Sequence, residues 1–124
     1  MKGFELVLLG IGAILGALLR YKIAESPFVI GGLPFNILIV NVVGSFLLGI
    51  FSVLSLTWNL DPKYSFFFAI GFCGSLTTMS SFALEVTNLL DNKQIVLAMV
   101  NVFANVGLSI LAIFGGRIFA SFFV

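Results

Sequence analysis

Gly71-Phe72-Cys73-Gly74-Ser75-Leu76-Thr77-Thr78-Met79-Ser80-Ser81-Phe82 sets two glycines and five hydroxyls inside a run that is otherwise apolar from about Tyr64 to Leu90. Glycine weakens a helix by about 1 kcal/mol, and serine and threonine hydroxyls compete for its backbone groups. The pattern therefore predicts a helix interrupted near its middle. In a bilayer, irregular backbone survives only where protein buries it or where it lines a polar cavity, so this stretch is where an ion or substrate is expected.

Outward from that stretch the chain is uniformly greasy. Of 124 residues, 60% are hydrophobic and 9% charged, with a mean hydropathy of +1.23. A soluble domain so poor in charge would expose a surface prone to association, which makes this an integral membrane protein. Four apolar segments are each long enough to cross a hydrocarbon core that takes about 20 helical residues. They run from about Phe4 to Ile23, Pro34 to Trp58, Tyr64 to Leu90 and Ile95 to Phe119. Short polar or turn-forming stretches separate them: Glu25-Ser26-Pro27 with Gly31-Gly32, then Asn59-Leu60-Asp61-Pro62-Lys63, then Asp91-Asn92-Lys93. Such connections make neighbours antiparallel. The expected fold is all-α and membrane-integral, four transmembrane helices with a broken third helix, in a single domain over residues 1–124. A signal peptide is disfavoured because Glu5 precedes the first apolar run and no small-x-small cleavage site follows it.

Several function classes fall away on composition. A net charge of +1 offers no basic patch for phosphates, so no nucleic-acid partner is expected. With no histidine, a single Cys73 and no paired carboxylates at membrane depth, neither acid–base nor metal chemistry has its groups, and the chain is not expected to be an enzyme. Four crossings put both termini on one side. Lys2, Lys63 and Arg117 then face one way and Arg20, Lys22 and Lys93 the other. Lys/Arg asymmetry sets orientation, and three against three leaves either a dual topology that pairs a chain with its inverted copy, or a weak bias settled during insertion.

Polar residues within the spans form two stripes. Asn41, Ser45 and Ser52 share one face of the second segment, and Asn101, Asn105 and Ser109 recur every four residues along the fourth. Neutral amide and hydroxyl donors replace water around a small anion without trapping it, whereas the same groups also serve as hydrogen-bonded glue between helices. Phe82 follows the hydroxyl run, where its electropositive ring edge can face an anion. Freed carbonyls near Gly74 and Thr77 suit a cation such as Na+. Arg20 and Glu85 stand at the ends of the first and third spans, where Arg20 snorkels to water or draws anions into a vestibule. Glu85, one turn from Phe82, is expected to be paired or turned aside at the pore mouth. Cys73 reads as a small core residue.

Three blocks carry a family likeness: Gly12-x-x-x-Gly16-Ala17-x-x-Arg20-Tyr21, Val40-Asn41-x-x-Gly44-Ser45-Phe46-x-x-Gly49 and Gly71-Phe72-x-Gly74-x-x-Thr77-Thr78-x-Ser80-x-Phe82. Together they resemble the fluoride channels known as CrcB or Fluc. The resemblance implies an antiparallel, dual-topology homodimer in the cell's inner (plasma) membrane, with two fluoride pores and passive fluoride efflux. It also implies a structural Na+ at the dimer centre, held by the carbonyls of Gly74 and Thr77. Asn41 would face the pore, Met79 and Phe82 would stand where two phenylalanines usually line it, and Asn101, Asn105 and Ser109 would continue the track beside Ser80 and Ser81. Departures from the family pattern are Met79 for the first pore phenylalanine, Ser75 for a glycine, Ser81 for a threonine, and Asn36-Ile37 for Gly-Thr. A drifted pore residue also suits a subunit of a heterodimeric channel. A small four-helix multidrug exporter is the lesser alternative, since its coupling carboxylate would lie deep in the first span, whereas Glu5 lies at its start.

Overall fold

In lipid, a segment must pair its own amides, so each long apolar run closes into helix. The computed structural model, which describes residues 2–124, has four helical segments long and apolar enough to cross a membrane: Gly3–Ala24, Asn36–Thr57, Pro62–Asp91 and Ile95–Ser121. We name α1 (Gly3–Ala24), α2 (Asn36–Thr57), α3 (Pro62–Tyr64), α4 (Gly74–Leu76), α5 (Met79–Asp91) and α6 (Ile95–Ser121), with a π-helical segment, Ser65–Cys73, between α3 and α4.

The all-α expectation needs one correction. Between α1 and α2 lies a small antiparallel hairpin, β1 (Val29–Ile30) and β2 (Leu33–Pro34). Gly31 and Gly32 turn it with φ of +61° and +87°, the left-handed pair that a tight two-residue turn demands. Pro34, expected at the start of the second span, is therefore a strand residue, and the helix begins at Asn36. Asn36 itself clasps this corner. Its Oδ1 accepts from the Phe28 amide at 2.8 Å, and its Nδ2 donates to the carbonyls of Ile23 at 2.8 Å and Ser26 at 2.7 Å. The third span starts at Pro62, earlier than its apolar run, because Asp61 caps α3 by accepting from the Lys63 amide at 2.9 Å.

Packing follows the small residues. Against lipid, helices gain little from expelling water and associate through fit and dispersion, so backbones must come close. On α1, a Cβ at Gly12 or Gly16 would run into the carbonyl oxygens of Phe67 and Phe72, and α1 accordingly lies along the π-helical segment. Gly49 of α2 and Gly116 of α6 meet the carbonyls of Ile113 and Phe46 in the same way. Ile37, Val40, Leu76 and Phe82 form the buried core, centred where α4 gives way to α5.

Candidate functional site

Between Leu76 and Met79 the backbone is extended, at Thr77 (φ −83°, ψ 155°) and Thr78 (φ −149°, ψ 127°). The local cause is visible in the hydroxyls. Thr77 Oγ1 donates back to the Cys73 carbonyl at 3.0 Å, and Thr78 Oγ1 caps α5 by accepting from the Ser81 amide at 3.2 Å. In an uninterrupted helix the amides of Thr78 and Ser81 would close onto the carbonyls of Gly74 and Thr77. Here they serve Asn41 and Thr78 Oγ1 instead, which releases both carbonyls from the ladder. A third released carbonyl, that of Ser75, accepts from Arg20 Nε at 2.9 Å. That atom turns inward onto the end of α4.

Beside this step runs a groove of about 400 Å³. Asn41, Gly74, Thr77, Met79, Phe82, Asn105 and Ser109 line it, together with Ser45, Cys73 and Thr78. Seven of the expected site residues are therefore brought to one surface. Phe82 is buried, 9% exposed, while Met79 is 72% exposed, so the two positions differ in setting as well as in side chain. Ser80, Ser81 and Asn101 lie off the groove wall. Ser80 Oγ is 3.3 Å from Thr78 Oγ1, and Asn101 is wholly buried behind Asn105. Ser52, on the same stripe as Asn41, bonds locally to the Gly49 carbonyl at 2.7 Å and takes no part.

The asparagines are joined. Asn41 Nδ2 donates to Asn105 Oδ1 at 2.9 Å and to the Thr78 carbonyl at 3.3 Å, while its Oδ1 accepts from the Thr78 amide at 2.8 Å. Asn105 Nδ2 donates to Asn101 Oδ1 at 2.7 Å, and Asn101 Nδ2 donates to Glu85 Oε1 at 3.2 Å. Glue and lining coincide in these residues. Ser109 differs. Among the described residues its Oγ is the one buried side-chain polar atom without a hydrogen-bond partner, on the wall of the same groove. A ligand that accepts a hydrogen bond would satisfy it. Ser109→Ala removes no hydrogen bond within the protein, so stability should stay within about 0.5 kcal/mol of the parent by thermal melting, while any groove ligand loses a donor worth up to about tenfold.

The sequence offers the Thr78 hydroxyl as a donor and acceptor at the break without placing it in the ion pathway. Its signal was the Thr-x-x-Ser spacing at the start of α5, which marks a helix cap. Ser45 lay on the stripe already traced, one turn after Asn41.

The profile of the family described as CrcB-like protein, Camphor Resistance (CrcB), matches residues 7–117. A Nitrosopumilus maritimus protein named fluoride-specific ion channel FluC is 59% identical over 117 residues, spanning 94% of this chain and 93% of its own length. Proteins of the same name from a Sulfurihydrogenibium species and from Methanocaldococcus jannaschii are 41% and 39% identical, over 92% and 94% of this chain and 94% of each relative. The match reaches into all four spans, and this chain belongs to the CrcB family.

Proposed function

We propose that this protein is a fluoride-selective passive channel that lets fluoride leave the cytoplasm across the plasma membrane. The observation that carries the proposal is the groove: amide, hydroxyl and aromatic side chains with no fixed charge on its wall, beside an interrupted helix, in a family whose relatives are named fluoride-specific channels. Neutral donors suit a small, strongly hydrated anion that must be held and then released. Ser109 Oγ offers a free hydroxyl donor. As the first amides of α5, those of Met79 and Ser80 have no intrahelical acceptor and lie at its electropositive end. The Phe82 ring borders the same space. Hydrogen fluoride enters cells as a neutral acid and dissociates, so a conductive path lets the membrane potential expel the anion without a coupled energy source.

The active unit in this proposal is an antiparallel dimer with two pores. A single protomer presents a polar-floored groove and an extended backbone step within a membrane span, which lipid does not satisfy. An inverted second copy covers it. The released carbonyls of Gly74 and Thr77 are hard oxygen donors that fit Na+, and two copies would supply four. Such an ion would neutralise the carbonyl dipoles where the interrupted helices meet.

Efflux from liposomes carrying the purified protein, read with a fluoride electrode beside a matched chloride control, tests the proposal. Fluoride release without chloride release is the expected result. Silence from a folded, dimeric sample would overturn self-sufficiency and favour the second reading, a heterodimeric channel, for which Met79 speaks. Met79→Phe should keep fluoride flux within about tenfold of the parent, the reach of a near volume-conserving swap. Loss of flux would assign Met79 to a differently shaped pore.

A further inference from the structure

The hydrogen bonds through the asparagines run in one direction. They start at a group that can only donate, the Thr78 backbone amide, and pass to Asn41 at 2.8 Å, Asn105 at 2.9 Å and Asn101 at 2.7 Å. They end at a group that as a carboxylate can only accept, Glu85, at 3.2 Å. Each intermediate side chain is an amide, able to donate from one end and accept at the other. Asn105 Nδ2 also donates to the Asn101 backbone carbonyl at 3.1 Å and Asn41 Nδ2 to the Thr78 carbonyl at 3.3 Å, in the same sense. Between a donor-only start and an acceptor-only end, a single set of three amide orientations satisfies every member. Any flip sets two carbonyl oxygens, or two NH2 groups, against each other.

Burial makes the end of this relay consequential. Asn101 is 0% exposed and Asn105 4% exposed, so an amide hydrogen that lost Glu85 would find no water, and an unpaired buried donor is costly. The relay also leaves the third span and returns to it. Thr78 and Glu85 both belong to that span, and the path between them crosses α2 at Asn41 and α6 at Asn105 and Asn101. Phe82 lies on α5 between the two ends.

We propose that Glu85 is a positioning residue: by accepting from Asn101 it terminates the amide relay, fixes the orientation of Asn41, and so holds Thr78 in its extended conformation. Its contribution is that of an acceptor, exerted through three other side chains, and its charge acts on no ion directly. The proposal does not depend on which ion the groove carries. Glutamine at this position keeps an acceptor oxygen, and methionine, of similar length, keeps none.

Hydrogen exchange of the Thr78 amide, followed by NMR in detergent with the Ala13 amide of α1 as a reference for global folding, separates these cases. Glu85→Met should speed Thr78 exchange about tenfold, the equivalent of one lost hydrogen bond, and Glu85→Gln should exchange like the parent. Asn101→Ala removes that link and also the Oδ1 acceptor of Asn105, so it should speed Thr78 exchange at least as much as Glu85→Met, which decides the question if the methionine variant does not fold. Unchanged Thr78 protection in a folded variant lacking the Glu85–Asn101 link would overturn the proposal. So would equal loss with glutamine and methionine, since charge would then be what matters.

Discussion

Exchange of Asn41 for leucine should cut fluoride flux about a hundredfold. Among the described residues, Asn41 is the one side chain hydrogen-bonded both to the extended step and to the fourth span, through Thr78 and Asn105. Leucine fills similar volume but strands the Thr78 amide and Asn105 Oδ1, and each unmet partner costs about 1–3 kcal/mol. About 3 kcal/mol of lost arrangement corresponds to roughly a hundredfold. The helices themselves pair their own backbones, so the variant should stay folded and melt at a lower temperature. Liposome efflux and thermal melting on the same preparation check this. Parental flux from a less stable protein would reduce Asn41 to packing and remove the second-helix stripe from the pathway.

The largest effect on stability is expected from Gly12→Ala combined with Gly16→Ala. Both added methyl groups would meet backbone carbonyls of the π-helical segment rather than movable side-chain ends. Neither wall can rotate away, so α1 must retreat along its length. Overpacking of this kind costs about 1–3 kcal/mol at each site, so the double variant should lose about 2–6 kcal/mol or fail to yield monodisperse protein. Gly10→Ala is the internal control. Nothing lies within 4 Å of a Cβ at Gly10, and alanine is the better helix former. Its melting temperature should equal or exceed the parent's. A double variant as stable as the Gly10 control would mean that α1 packs elsewhere.

Much of this architecture is legible in the chain because lipid leaves few alternatives. An apolar run of about 20 residues must become helix, so the four spans follow from where the polar interruptions fall. Thr77 and Thr78 were equally open to reading, since their hydroxyls compete with the ladder locally. The hairpin at Val29–Pro34 was hidden because its strands are two residues each, too short for alternation to show. The widened turns of Ser65–Cys73 leave no mark in a sequence that is apolar on every side. The relay was half visible. Spacing placed Asn41 on one stripe and Asn101 and Asn105 on another, but partners 37 and 64 residues apart in the chain are joined only by the fold. Arg20 reached Ser75, 55 residues away, for the same reason.

The order of the relay's parts along the chain also bears on how the protein is made. Asn41 enters the membrane with the second span, and its partner Asn105 arrives with the last. Until α6 follows, Asn41 sits in the bilayer with its amide unmatched on that side, a polar group in hydrocarbon. An unfinished chain therefore carries a mark that a finished one conceals, and the arrival of the final helix both completes the groove wall and erases the sign of incompleteness.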